Sequence, residues 1–150
     1  MGAVTYPDSK VAQFINSRII PVQLLHDVQP YASDYNVKWT PTIIILDETG
    51  KEHHRIIGFL PPDEFIPALL LGIAKTAFDR DELDGAEADL DRLLKGYPKS
   101  SAAPEALYLS GVARFKVGHK PEALKAAFER LKQEYPSSEW AKRAMPYGLL

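Results

Sequence analysis

Two stretches of the chain lie over one another at an offset of 38 residues: RLLKGYPKSSAAPEA (92–106) and RLKQEYPSSEWAKRA (130–144). Arg92 matches Arg130, Leu93 matches Leu131, Tyr97-Pro98 matches Tyr135-Pro136, and Ala103 and Ala106 match Ala141 and Ala144. Self-similarity at roughly 30 to 40 residues is what stacked helical hairpins leave in a sequence, because each hairpin has an apolar face that only its neighbour can bury. The apolar positions agree. Ala86, Leu90, Leu93, Leu94 and Tyr97 form one stripe, Leu107, Tyr108, Gly111, Val112 and Phe115 a second, and Ala123, Leu124, Ala127, Phe128, Leu131 and Tyr135 a third. Each stripe has the spacing of a helix with one buried face, and breaks fall at Pro98, at 118–121 and at Pro136. The same offset puts Leu69 on Leu107 and Ala77 on Phe115, so the helix that precedes the repeats is expected to double as their first helix.

Upstream of residue 79 the period is mixed. SKVAQFINSRI (9–19) sets Val11, Phe14, Ile15 and Ile19 on one helical face, with Ser9 as the expected N-cap. IIPVQLLHD (19–27) reads as an extended apolar strand, its Pro21 tolerable only near a strand start. QPYASDYNV (29–37) reads as a short helix, with Pro30 in its first turn. TIIILD (42–47) is a β-branched run, the pattern of a strand buried on both faces. DETGKE offers Gly50 for a turn, and EHHRIIGF (52–59) returns as a more polar edge strand. A helix with acidic residues in its first turn then begins near Pro62. The expected order is helix, strand, helix, hairpin, helix, which is an α/β layer.

The chain of 150 residues has no cysteine. That excludes a disulfide framework, a thiolate zinc site and a cysteine nucleophile. A net charge of −2 with no basic run gives no field toward nucleic acid or an anionic membrane, and neither partner is expected. The longest apolar run, IPALLLGIA (66–74), is far short of the ~20 residues that span a bilayer. MGAVTYPDSK has neither the basic nor the apolar region of a secretory signal. The chain as it stands reads as cytoplasmic.

VKWTPT, a β-branched strand, a glycine turn, a second strand ending in GF and an acidic-capped helix together resemble the thioredoxin family over roughly residues 9 to 78. VTYPDSKVAQFINSRIIPVQL is similar to the family region just downstream of its Cys-X-X-Cys helix start. In that family the proline matching Pro41 is cis, and the backbone before it faces the dithiol and hydrogen-bonds bound polypeptide. The resemblance therefore implies a peptide-binding role for Thr40 and Pro41, with Trp39 and Thr42 as flanking surface. The departure is equally clear: the dithiol-bearing segment has no counterpart, so no catalytic residue, cofactor or metal is expected. Residues 83–144 resemble tetratricopeptide repeats, which implies a protein partner.

Other candidates read as structural. His53 and His54 are adjacent on a strand, pointing to opposite faces, and are expected to be solvated. His26-Asp27 has no accompanying nucleophile. Asp79, Asp81, Glu82, Asp84, Glu87, Asp89 and Asp91 form an acidic run without calcium-loop spacing, expected to be a solvated helix face. Trp140 is expected to pack the last helix.

The expected architecture is an α/β, incomplete thioredoxin-like fold of three strands over residues 1–78, lacking the N-terminal β-α-β, fused to an all-α tetratricopeptide-like region over 79–150. Two functional readings follow. In one, the chain is the rear part of a thiol-disulfide oxidoreductase whose true start lies upstream of Met1, with a compartment set by that longer form. In the other, it is a redox-inactive module that binds polypeptide through the proline loop and the repeats. By the same resemblance the dithiol-bearing strand lies between the strands matching residues 19–26 and 42–47. Without it their edges are unpaired, and either the two strands close on one another, or a second copy covers the gap as a homodimer, or the folded part is less stable.

Overall fold

Asp8, not Ser9, starts the first helix: its carboxylate accepts from the Lys10 and Val11 amides at 2.9 and 3.1 Å, so α1 runs over Ser9–Arg18. The computed structural model describes residues 1–150. After α1 come α2 (Tyr31–Asp34), β1 (Thr42–Leu46), β2 (Glu52–Ile57), α3 (Pro62–Asp79), α4 (Leu83–Gly96), α5 (Ala103–Gly118), α6 (Glu122–Glu134), α7 (Glu139–Arg143) and a 3₁₀ turn over Met145–Leu149.

The sheet has two strands, not three. β1 and β2 pair antiparallel, with Gly50 at φ +84° in the connecting turn. Residues 19–25 form no regular element and join no strand, leaving Ile20 92% and Val22 75% exposed. The sequence reading fails here because apolar β-branched residues define a strand only when a neighbour takes up their amides and carbonyls, and Pro21 removes one donor. For the same reason β1 is not buried on both faces. Ile45 is buried and Leu46 exposed, since one helix, α3, covers one face.

α3 is the hub. Gly72 lets it lie directly on the sheet: a Cβ there would stand 2.7 Å from Ile45 Cγ1 and 3.1 Å from His54 Cδ2. Its other side packs on α4, and one core cluster joins Val11, Ile45, Phe65, Leu69, Leu70, Leu90 and Leu93. The α/β layer and the helical array thus share a hydrophobic core and no linker divides them. A second cluster holds Leu107, Leu131, Ala141 and Ala144, capped by Tyr108, Trp140 and Tyr147.

The repeat is visible in the backbone. Tyr97 ends α4 at φ −137°, ψ 50° and Tyr135 ends α6 at φ −136°, ψ 52°. α5 and α6 approach closely at Gly111, where a Cβ would lie 2.4 Å from Ala127 Cβ. No helix is long and apolar enough to cross a membrane.

Candidate functional site

The chain turns out of α2 through Asn36 at φ +47° and runs into a bend that delivers the proline loop to the start of β1. The Thr42 hydroxyl donates to the Trp39 carbonyl at 2.6 Å, closing the loop on itself. The Pro41 carbonyl accepts from the Gly58 amide at 2.8 Å, which fixes the loop to the end of β2. Both Gln29–Pro30 and Thr40–Pro41 are cis peptides. All four predicted residues thus sit in one connected turn.

Two properties of that turn bear on binding. The amide and carbonyl of Thr40 take part in no hydrogen bond within the chain, and the residue is exposed. Around it stand large apolar side chains open to solvent: Trp39 at 69%, Ile57 at 62% and Phe59 at 53% exposure. Ile57 is the direct cross-strand partner of Thr42. Single exposed apolar residues are common, but three large ones near an exposed, unpaired stretch of backbone are a less usual combination. No thiol lies at the loop or anywhere else in the chain.

The structure corrects the reading of the histidines. The register passes from Ile45–His54 to Leu46–Glu52, so His53 is the extra residue of a β-bulge. A bulge re-aims its side chain and breaks the alternation on which the opposite-faces expectation rested. The His53 side chain is only 1% exposed. Its Nδ1 lies 2.8 Å from Asp79 Oδ2 at the end of α3, and its Nε2 lies 2.9 Å from Asp47 Oδ2 in the turn. Hydrogen bonds first to Asp79 and then to Asp47 raise the His53 pKa above the ordinary histidine value. The bonds from the Thr49 hydroxyl and from His53 hold Asp47 well below the usual carboxylate range. His54, packed against α3, is shifted the other way, its pKa lowered by burial. The hydroxyl that touches this triad, Thr49, donates to Asp47 Oδ1 at 2.6 Å, and the bonds of His53 to Asp47 and Asp79 tie the hairpin to α3. No cluster of three or more His, Asp or Glu side chains has the geometry of a metal site, and His26 and Asp27 are exposed in a turn.

The acidic run is not wholly solvated either. Asp89 is 8% exposed and is bonded by Arg18, while Glu87 is bonded by Arg114 and Lys116 reaches Asp81 at 2.6 Å. Sequence reasoning missed these because their cations come from other helices. Trp140 does pack the last turns, its ring 5.1 Å from that of Tyr108.

The helical region offers a second surface. A cleft of about 60 Å³ between α5 and α6 is lined by Leu107, Gly111, Ala127, Arg114 and Arg130, but both arginines are already paired, to Glu87 and Glu134. A wider cleft of about 340 Å³ lies where Lys10 and Phe14 of α1 face Ile66 and Tyr97.

Residues 4–72 match the family model of a thioredoxin-like domain, and residues 68–100 and 105–138 match the tetratricopeptide repeat model. The matches overlap within α3, the helix shared by the two layers. No curated protein and no solved structure matches the chain.

Proposed function

Taking the chain as a thioredoxin-like segment that runs into tetratricopeptide repeats, we propose that it is a binding module for extended polypeptide, without redox chemistry of its own. The observation that carries this is the unpaired Thr40 backbone, exposed beside Trp39 and held in place by the Pro41–Gly58 hydrogen bond. An extended segment lying along the loop would exchange main-chain hydrogen bonds with Thr40 and place an apolar side chain on Trp39 and Phe59. Specificity beyond that falls to the repeats, since tetratricopeptide arrays are protein-interaction modules. Residues 1–78 carry the loop and residues 79–150 the array. A fluorescently tagged, permanently unfolded polypeptide should bind saturably, and Trp39→Ala should weaken binding about tenfold, as loss of an aromatic anchor does. Unchanged affinity in that variant would remove the loop from the account.

A second reading is favoured by the same free backbone. In a longer form carrying a Cys-X-X-Cys segment, Thr40 and Pro41 would face the dithiol and the protein would exchange disulfides. Intact mass and N-terminal sequence from native cells separate the readings: a longer species with paired cysteines supports the second.

A further inference from the structure

Gly58, at φ +100°, turns the chain off the end of β2. Only Phe59 and Leu60 then separate it from the Pro61–Pro62 start of α3. This short crossing carries one of the aromatic rings on which the polypeptide site relies. Phe59 is 53% exposed, and neither its amide nor its carbonyl forms a hydrogen bond within the chain. Its place is set by its two neighbours. On one side the Gly58 amide donates to the Pro41 carbonyl at 2.8 Å. On the other, the Leu60 carbonyl accepts from the Thr5 hydroxyl at 2.6 Å. The Leu60 amide meets the Met1 sulfur at 3.4 Å, a weak acceptor, and Pro61 and Pro62 have no N–H to offer.

Thr5 is itself firmly held. It is fully buried, its amide donates to the Met1 carbonyl at 2.9 Å, and its carbonyl accepts from the Asp8 amide at 3.2 Å. Asp8 in turn caps α1. The ring of Tyr6, the next residue, stands edge-on to that of Phe65 in α3 with the centroids 5.8 Å apart. The hydroxyl therefore reaches Leu60 from a turn anchored on both α1 and α3. Leu60 belongs to no helix or strand, so no ladder takes up its carbonyl, and the Thr5 side chain does so instead.

We propose that Thr5 is a positioning residue of the polypeptide site: by holding Leu60 it sets where the Phe59 ring stands beside the proline loop. It acts through Phe59 and does not touch the polypeptide. The assignment rests on the loop reading given above. Glycine has the widest choice of backbone angles, so with Leu60 released the chain turns freely at Gly58 and the Phe59 ring loses its fixed place. An anchor that must be ordered on binding contributes less than one already in position.

The test is binding of a fluorescently tagged, S-carboxymethylated polypeptide to the 150-residue chain, together with its amide and aromatic spectra. Thr5→Val keeps the side-chain shape and removes the donor. It should weaken binding about fivefold, the net worth of one neutral hydrogen bond, and should move the Gly58 amide and Phe59 ring signals. Thr5→Ser keeps the donor and should restore both. In a Phe59→Ala background Thr5→Val should cost no further affinity, because the ring that it positions is gone. Asp89→Ala, which loosens the joint between α1 and α4, serves as the control for a general loss of stability and should leave the affinity unchanged. Thr5→Ala, in which water can reach the Leu60 carbonyl, carries the same comparisons if the valine chain does not fold. Full affinity without the hydroxyl overturns the proposal, as do Gly58 and Phe59 signals that stay in place. So does an equal loss with and without the Phe59 ring, or a Thr5→Ser chain as weak as Thr5→Val. A parent that binds no polypeptide removes the loop reading and this assignment with it. A parent that binds, with the donor-free variants at full affinity, removes the assignment alone.

Discussion

Arg18, the last residue of α1, places its Nη2 2.7 and 2.8 Å from the two carboxylate oxygens of Asp89 in the middle of α4. The pair joins the first helix of the α/β layer to the helical array across the face that also buries Leu90 and Leu93. Its side chains are 27% and 12% exposed, so water screens it only in part. Arg92 approaches the same carboxylate at 3.7 Å but is itself largely exposed.

Removing one partner should therefore loosen the joint between the layers. Asp89→Ala and Arg18→Ala should each lower stability by about 1–3 kcal/mol, the range for a hydrogen bond to a charged group. The double variant should cost clearly less than the sum. Urea unfolding monitored by circular dichroism checks this. Strict additivity would mean that the two residues act independently.

Gly111 predicts a steric result. Gly111→Ala pushes a methyl group to within 2.4 Å of Ala127 Cβ, and separating α5 from α6 should cost about 1–3 kcal/mol, as overpacking does. Ala127→Gly in the same chain should restore part of the loss, despite the usual cost of glycine in a helix of about 1 kcal/mol. A Gly111→Ala chain as stable as the parent would contradict the close approach.

The two adjacent histidines should respond to pH with opposite signs. His53 is raised by bonds to Asp79 and Asp47. Its contribution is fully present below the unfolded histidine value of about 6.5, and it is lost as pH rises through the folded value. His54 is lowered by burial, so its contribution is present above about 6.5 and is lost as pH falls through the folded value. Asp47 is also depressed, and its share disappears in acid. Histidine-selective NMR should give His53 the higher midpoint and His54 the lower. His53→Gln should destabilise most in mildly acidic solution, the deficit shrinking as pH rises. A deficit that grows with pH would contradict the bridged imidazolium.

What could be read in the sequence depended on how local each signal was. Tyr97-Pro98 and Tyr135-Pro136 were legible because a helix end and its terminator lie in one short stretch, and the matching backbone angles follow from it. Trp39 to Thr42 were singled out by the resemblance to the thioredoxin family, and the hydrogen bond that closes the loop from Thr42 onto the Trp39 carbonyl was not itself readable from residue types. His53 was not, since a bulge is a count of residues across two strands and no property of either one alone. Asp89 looked like one more surface acid because Arg18 lies 71 positions away. Residues 19–25 carried strand chemistry without the neighbour that makes a strand.

The most direct measurement is the amide spectrum of the isotopically labelled chain during titration with a reduced, S-carboxymethylated polypeptide. Capture on the proline loop predicts that the Thr40 amide shifts and gains protection from exchange. The Trp39 indole signal should move with it while that of Trp140 stays in place. Saturable binding with Thr40 and Trp39 unmoved, and shifts confined to α5 and α6, would contradict the assignment and leave the repeats as the binding surface.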